Sequence, residues 1–143
     1  MSDENKQLSD ISQLDVAAGA EKGMDLQLKH PATGKPIHAW LHILGADSKA
    51  YKAKQTELLR RFAEKKSKDR DYQRPEEEAS LEACEQLAAV TTAGRIYLGP
   101  EEGEYVHSFD AAVKLYRRYA WIAEQVDNAI YNRANFLPAS GIS

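Results

Sequence analysis

Residues 108–138 constrain the fold most strongly, because their apolar positions keep a helical spacing for about four turns. One wall of this helix is apolar, with steps of four, three, four and three between Leu115, Tyr119, Ile122, Val126 and Ala129. Ser108 and Asp110 can open the helix and Pro138 can close it. A wall of this kind needs another surface to cover it, so the segment predicts a packed core.

The length and composition predict a single folded domain. The chain has 143 residues, of which 43% are hydrophobic and 29% are charged, enough for one modest core but not for two. Its longest apolar runs fall short of the roughly 18 residues that a membrane span needs. The polar start M-S-D-E-N-K is unlike a signal peptide, so we expect the protein to stay in the cytoplasm where it is made.

The single cysteine, Cys84, excludes an intrachain disulfide. A thiolate metal site would also lack partners. We expect Cys84 to be a small buried residue on a helix, since free cysteine commonly packs inside. No metal, cofactor or catalytic residue is predicted.

Residues 1–23 are polar and small, although Leu8, Ile11 and Leu14 step by three and could form a helical turn or two. We interpret this segment as a mostly disordered N-terminal arm. A single globular domain is expected over residues 24–140, followed by a tail at 141–143.

Two segments after residue 24 alternate in the manner of a β-hairpin. Apolar residues occupy every second position on either side of a P-A-T-G-K turn, at Leu26, Leu28, Ile37, Ala39, Leu41 and Ile43. This period predicts two antiparallel strands with one buried face.

The opposite face of the second strand would carry His38, Trp40 and His42. In a helix the two histidines would resemble half of a metal site. In a strand they lie roughly 13 Å apart, too far to share an ion, and this second interpretation is the one we favour.

Charge is strongly segregated along the middle of the chain. Residues 49–74 hold ten Lys and Arg against four acids, whereas residues 75–107 hold Arg95 against eight Glu. The first segment predicts a helix, capped by Ser48 or Asp47, that buries Tyr51, Leu58, Leu59 and Phe62. Its basic face, with Lys52, Arg60, Lys65 and Lys66, is the best candidate for a nucleic-acid surface, but it lacks interleaved aromatics. Attraction between the two segments within the chain is the simpler interpretation.

The acidic segment predicts a second helix. Pro75 suits its first position and Glu76–Glu78 suit the positive end of the helix dipole. Leu81, Cys84, Leu87 and Ala88 would face inward, and Gly94 would end the run. The glutamates lack the spacing of a calcium-binding loop.

A short second hairpin is predicted on either side of G-P-E-E-G, from Arg95–Leu98 and Glu104–His107. The predicted fold class is therefore α+β and mainly α. It comprises an N-terminal β-hairpin, three or four helices and this short hairpin around one core.

The C-terminal helix carries more aromatic side chains than one inner face can hold, namely Tyr116, Tyr119, Trp121 and Tyr131. This surplus indicates a contact surface. The alternative, that the two hairpins cover these side chains, stays open.

Three stretches together resemble the tail assembly chaperone-like small proteins of long-tailed bacteriophages and prophages. The first is P-A-T-G-K-P, residues 31–36, with G-A-D-S-K-A-Y, residues 45–51; the others are Y-A-W-I-A-E-Q-V-D, residues 119–127, and N-R-A-N-F-L-P-A-S, residues 132–140. Two departures concern the C-terminal element. Ala120 stands where the family often has proline, and Ile130-Tyr131 where Gly-Asp is common. Whether this element is one helix or two is left open by the sequence.

The resemblance implies a non-catalytic protein in the bacterial host cytoplasm that binds a helical tape-measure protein and helps tail-tube subunits to gather. The residues it adds to the candidate surface are Arg133, Asn135 and Phe136. A second copy of the chain is a further candidate partner, whereas membrane and nucleic acid are not expected. The alternatives are a structural tail or connector component of the virion and a nucleic-acid-binding regulator that uses residues 49–74. No G-x-S-x-G, phosphate-cradling glycine loop or H-E-x-x-H motif indicates an enzyme.

Overall fold

The computed structural model describes residues 7–138, so the predicted tail at 141–143 and the predicted domain end at residue 140 lie outside the described residues. Within this range the chain forms a three-stranded antiparallel sheet and five α-helices. The strands are β1 (Met24–Lys29), β2 (Pro36–Ile43) and β3 (Thr91–Arg95). The helices are α1 (Val16–Lys22), α2 (Lys49–Lys68), α3 (Glu76–Ala89), α4 (Phe109–Arg118) and α5 (Ala120–Tyr131). The predicted α+β, mainly helical class is confirmed.

The predicted β1–β2 hairpin is present, with Leu26 opposite Leu41 in the antiparallel register. Its inner face is apolar, and the side chains of Leu28, Leu41 and Ile43 are completely buried. The turn between the strands closes where the Gly34 N–H donates to the His30 carbonyl at 2.9 Å. Gly34 has a φ of 74°, a left-handed conformation that glycine adopts without a steric penalty.

The prediction that the second helix runs to Gly94 is wrong, because α3 ends at Ala89 and residues 91–95 form β3 on the far side of β2. Gly94 lies within this strand. A Cβ at Gly94 would come within 2.9 Å of the side chains of Leu41 and Tyr105. The glycine therefore lets β3 lie close to its neighbours instead of terminating a helix.

The predicted second hairpin is reduced to a loop with one isolated bridge between Tyr97 and Glu104. A backbone hydrogen bond from the Leu98 N–H to the Gly103 carbonyl, 2.8 Å long, closes its tip. The β-prone residues of 95–98 are divided between the end of β3 and this loop.

Helix α2 begins as predicted, since the Ser48 hydroxyl accepts a hydrogen bond from the Tyr51 N–H at 3.3 Å. Tyr51 is buried and Leu58 and Phe62 are half-buried, but Leu59 is 62% exposed. The expected burial of Leu59 is therefore wrong. Adjacent helix positions point about 100° apart, and α2 turns Leu58, not Leu59, toward its neighbours.

The C-terminal stretch forms two helices. Tyr119 breaks the helix with φ −113° and ψ 79°, although the following residue is Ala120 and not proline. The apolar wall is confirmed across the break, because Leu115, Ile122, Val126 and Ala129 are buried. The change of direction lets α4 pack along α3 while α5 reaches β1.

Residues 1–6 of the predicted N-terminal arm lie outside the described residues, but its second half contains regular structure. Ile11–Leu14 form a 3₁₀ turn and Val16–Lys22 form α1, which the Asp15 side chain caps by accepting from the Ala18 N–H at 3.0 Å. Ala20 is buried, and its carbonyl accepts from the Gly45 N–H at 3.0 Å. Helix α1 packs on the 3₁₀ turn Arg133–Phe136. A helix this short depends on such tertiary contacts for its stability, and its local sequence gives little indication that it forms.

Candidate protein-binding site

The seven residues predicted to bind a partner occupy quite different environments. Tyr116 is only 1% exposed and its hydroxyl lies 2.6 Å from the Thr91 hydroxyl. Phe136 is also buried, with its ring and backbone against Gly45 and Gly19. Neither side chain offers a surface to a partner in this structure. Tyr116, one of the four surplus aromatics, is therefore part of the core, where its hydroxyl contacts β3.

Arg133 and Asn135 are engaged within the chain. The Arg133 guanidinium donates two hydrogen bonds to the Asp47 carboxylate, at 2.8 and 3.0 Å, and these bonds hold the pKa of Asp47 below its usual value. The Asn135 side-chain amide donates to the Ala129 carbonyl at 3.0 Å. Both residues thus join the end of α5 to other parts of the fold.

Tyr119, Trp121 and Tyr131 keep some exposure. Tyr119 and Trp121 are half-buried and pack on the edge of the core, and the Arg118 guanidinium lies 5.5 Å from the Tyr119 ring centre. Tyr131 is 56% exposed. Its ring meets that of Tyr51 edge to face, and the two hydroxyls share a hydrogen bond.

Two basic side chains of α2 pair with acids of α3. Arg61 donates to Glu85 at 2.9 Å, and Lys65 pairs with Glu78. Hydrogen bonding to Glu85 raises the pKa of Arg61. The predicted attraction between the basic and acidic segments is therefore present within the chain, and these two cations are occupied. Lys52, Arg60 and Lys66 lie on the exposed side of the helix.

The two histidines of β2 lie on its outer face as predicted. His42 Nδ1 lies 2.9 Å from Asp25 Oδ1, while the His38 ring lies beside Trp40 with ring centres 6.0 Å apart. Among residues 7–138, no three metal-ligating side chains are grouped closely enough to hold an ion. Cys84 is buried as predicted, and burial raises the pKa of its thiol, which disfavours the reactive thiolate.

One of several concave surfaces lies between α2 and α3, and we call it the α2–α3 groove. It has a volume of about 320 Å³, and Tyr131 from α5 contributes to its lining. Its residues are mainly apolar or uncharged, and its wall includes the exposed Leu59. The full lining is Tyr51, Gln55, Leu58, Leu59, Arg74, Ala79, Glu82, Ala83, Gln86, Leu87, Asp127 and Tyr131.

Glu82 lies in the groove with its side chain only 8% exposed. Its Oε1 atom has no hydrogen-bond partner, although the Arg74 Nε lies 3.2 Å away. Since that nitrogen is not aligned for a hydrogen bond, we regard the pair as an ion pair alone. The nearby positive charge of Arg74 offsets part of the cost of burying this carboxylate.

Sequence reasoning found Tyr131 but missed the rest of the groove. Glu82 is one of several glutamates in its segment, and nothing in its spacing distinguishes it from the others. The sequence did indicate that either Leu58 or Leu59 would be exposed, because the two are adjacent and a narrow inner helix face accommodates only one of two neighbours.

No protein-family model, curated protein or solved structure matches this chain. The structure itself adds one exclusion: none of the helices in the described range is both long and apolar enough to cross a membrane.

Proposed function

We propose that the chain is a non-catalytic binding protein that takes up a helical tape-measure or tail protein in the α2–α3 groove. In this role it would act like the bacteriophage tail assembly chaperones that its sequence motifs resemble, in the cytoplasm of a bacterial host. The observation that carries the proposal is the exposure of Leu59 and Tyr131 at a concave surface between two helices. Apolar side chains in such a groove are what amphipathic helices use for docking.

The arrangement of the resembling motifs supports the same proposal. The motif at residues 45–51 contacts the motif at residues 132–140 through Asp47 and Arg133. Beside this pair, the Ala46 N–H donates to the Ile130 carbonyl at 2.9 Å. These bonds fix the end of α5 against the start of α2, and so hold Tyr131 at the mouth of the groove. In this proposal the motif residues position the binding surface, and Leu59 and Tyr131 contact the partner.

The long, repetitive nature of a helical tape-measure partner suits a groove of this size. It can take a few side chains from one face of a helix, and many copies of the chain could then bind along one rod through modest contacts. Affinity for each single site would not need to be high.

Co-expression with a bacteriophage tape-measure protein tests the proposal. Burying a leucine contributes about 1.5–3 kcal/mol, so Leu59→Ser should weaken binding about 10- to 100-fold and lower the yield of soluble partner. Because Leu59 is exposed, the variant should fold as well as the wild type. Val106→Ser is the matched control, since Val106 is 81% exposed and lies outside the groove. Wild-type yields from both Leu59→Ser and Tyr131→Ser would refute the proposed groove.

A further inference from the structure

Three large apolar side chains near the start of the described range are exposed to solvent. Leu8 is 95% exposed, Ile11 is 71% exposed and Leu14 is 43% exposed. The turn that contains the last two has no buried residue. Single exposed apolar residues are ordinary on a protein surface, but these three lie close together in the chain and form a patch. Such a patch indicates a surface that another molecule covers.

The backbone presents this patch in an ordered turn within residues 7–15, which we call the N-terminal segment. Ile11–Leu14 form a 3₁₀ turn, in which residues three positions apart lie on the same side. The Asp10 carboxylate accepts from the backbone N–H and the hydroxyl of Ser12, at 3.0 and 2.6 Å. Because the turn is already formed, its docking on a partner would cost little conformational entropy.

The charge of the N-terminal segment favours a basic partner surface. The segment contains Asp10 and Asp15 and no basic residue. These two acids stand immediately before and after the 3₁₀ turn. The segment therefore combines an apolar centre with a negative charge at each end.

The α2–α3 groove and the adjoining surface of α2 have the complementary arrangement. Lys52 and Lys66 are exposed and stand seven positions before and after the exposed Leu59. Seven residues are close to two helical turns, so these three side chains lie along one line of the helix surface. Lys66 donates to the Tyr72 carbonyl at 3.0 Å, a neutral acceptor that leaves the lysine charge in place. This surface therefore combines an apolar centre with a positive charge at each end.

The N-terminal segment does not occupy the groove of its own chain. None of residues 7–15 lines that groove. The helix that follows the segment, α1, is fixed elsewhere, because the Ala20 carbonyl accepts from the Gly45 N–H at 3.0 Å and the helix packs on the turn Arg133–Phe136. Two copies of the chain can bring together the two complementary surfaces that one copy leaves exposed.

We propose that the N-terminal segment of one copy docks in the α2–α3 groove of a second copy. Ile11 and Leu14 would contact Leu59 and Tyr131, and the two acids of the segment would lie toward the two lysines of α2. The contact joins two different surfaces, so each added copy leaves one segment and one groove open and association continues head to tail. Because only a few side chains meet, each contact should be weak, with a Kd of about 10 µM to 1 mM. This inference does not depend on the proposed function.

Analytical ultracentrifugation of the full chain, at concentrations from about 10 µM to 1 mM, tests the inference. The average mass should rise with concentration. Ile11→Ser removes the apolar centre of the segment and Leu59→Ser that of the groove, so each variant should need a concentration at least about 10-fold higher to associate. Val106→Ser is the matched control, because Val106 is 81% exposed and belongs to neither surface. Thermal unfolding of each variant establishes that it is folded when measured.

A mixture of the two variants identifies which surfaces meet. Ile11→Ser keeps an intact groove and Leu59→Ser keeps an intact segment, so mixing them should restore one contact and give a complex of two copies that grows no further. A wild-type chain that stays monomeric at about 1 mM would overturn the inference. Wild-type association of Ile11→Ser, or a mixture that forms no complex, would overturn it as well.

Removal of the two lysine charges tests the orientation of the segment. The double variant Lys52→Gln with Lys66→Gln should weaken self-association about 2- to 10-fold, as expected for exposed ion pairs. An unchanged dependence of the mass on concentration would overturn the assignment of the segment to this side of α2.

The outcomes distinguish this inference from the proposed function. The N-terminal segment and a helical tail protein would compete for one groove, so Ile11→Ser should bind a bacteriophage tape-measure protein at least as tightly as the wild type does. Head-to-tail association without tape-measure binding would keep the inference and remove the tail-assembly assignment. A chain that binds the tape-measure protein but stays monomeric would have the opposite meaning.

Discussion

The buried hydroxyls of Tyr116 and Thr91 form a short hydrogen-bonded chain whose direction can be deduced. The Thr91 hydroxyl donates its single proton to the Leu87 carbonyl at 2.9 Å. In the 2.6 Å contact between the two hydroxyls, Tyr116 must therefore be the donor. The bonds run from α4 through the first residue of β3 to the end of α3, so they tie three elements together inside the core.

This direction predicts unequal effects for the two single substitutions. Tyr116→Phe removes one hydrogen bond and should lower the free energy of unfolding by about 0.5–1.5 kcal/mol. Thr91→Val leaves the tyrosine hydroxyl buried without an acceptor, which adds about 1–3 kcal/mol to the loss. The double variant removes this unpaired hydroxyl, so it should be no less stable than Thr91→Val alone.

Urea unfolding followed by the fluorescence of the two tryptophans measures all four free energies of unfolding. The expected signature is a double-mutant cycle whose coupling energy is about 1 kcal/mol or more. Simple additivity of the two single losses would refute the deduced direction. A smaller loss for Thr91→Val than for Tyr116→Phe would refute it as well.

Two further predictions concern the helix break and a buried tyrosine. Ala120 is the first residue of α5, a position where proline is tolerated, so Ala120→Pro should change the free energy of unfolding by less than about 1 kcal/mol. Ala123→Pro, inside the same helix, should lower it by about 3 kcal/mol. Equal losses for the two variants in urea titrations would contradict the helix break at Tyr119. Burial raises the pKa of Tyr105 to about 12, whereas an unperturbed tyrosine has a pKa of about 10. The stability that this difference contributes to the folded state is therefore fully present below about pH 10 and is lost as the pH rises toward 12. Thermal unfolding from pH 8 to 12 should show a shallower decline for Tyr105→Phe; an unchanged slope would contradict the assignment.

Much of the fold could be predicted from local patterns. The alternation around Leu41 predicted the buried face of a strand, and the helical spacing around Ile122 predicted the buried face of a helix. Both predictions are correct, because side chains repeat about every two residues in a strand and about every 3.6 residues in a helix. Ser48 identified a helix start through the chemistry of its cap. These features depend on near neighbours in the sequence, and so a single sequence contains them.

The features that were missed depend on contacts between distant residues. Residues 91–95 show no alternation, and only the free edge of β2 makes them a strand. Helix α1 is short and ends in glycine, and it depends on the turn Arg133–Phe136 for packing. The choice between Leu58 and Leu59 is made by how α3 lies on α2.

The same limit applies to the candidate site. The motifs at residues 45–51 and 132–140 are far apart in the chain, and their pairing through Asp47 and Arg133 could not be read from spacing. Arg133, Asn135 and Phe136 were assigned to a partner through the resemblance of the second motif. In the structure Arg133 pairs with Asp47 within the chain, whereas nothing in its spacing distinguished Glu82 from the neighbouring glutamates.

The contact between Gly19 in α1 and Phe136 has a consequence for how the chain is made. A Cβ at Gly19 would collide with the Phe136 carbonyl oxygen, so the two backbones lie against each other without intervening side chain. Residues 133–136 leave the ribosome long after α1 has emerged. Until residues 133–136 have been synthesised, α1 therefore lacks the surface on which it packs, and its docking must follow their emergence.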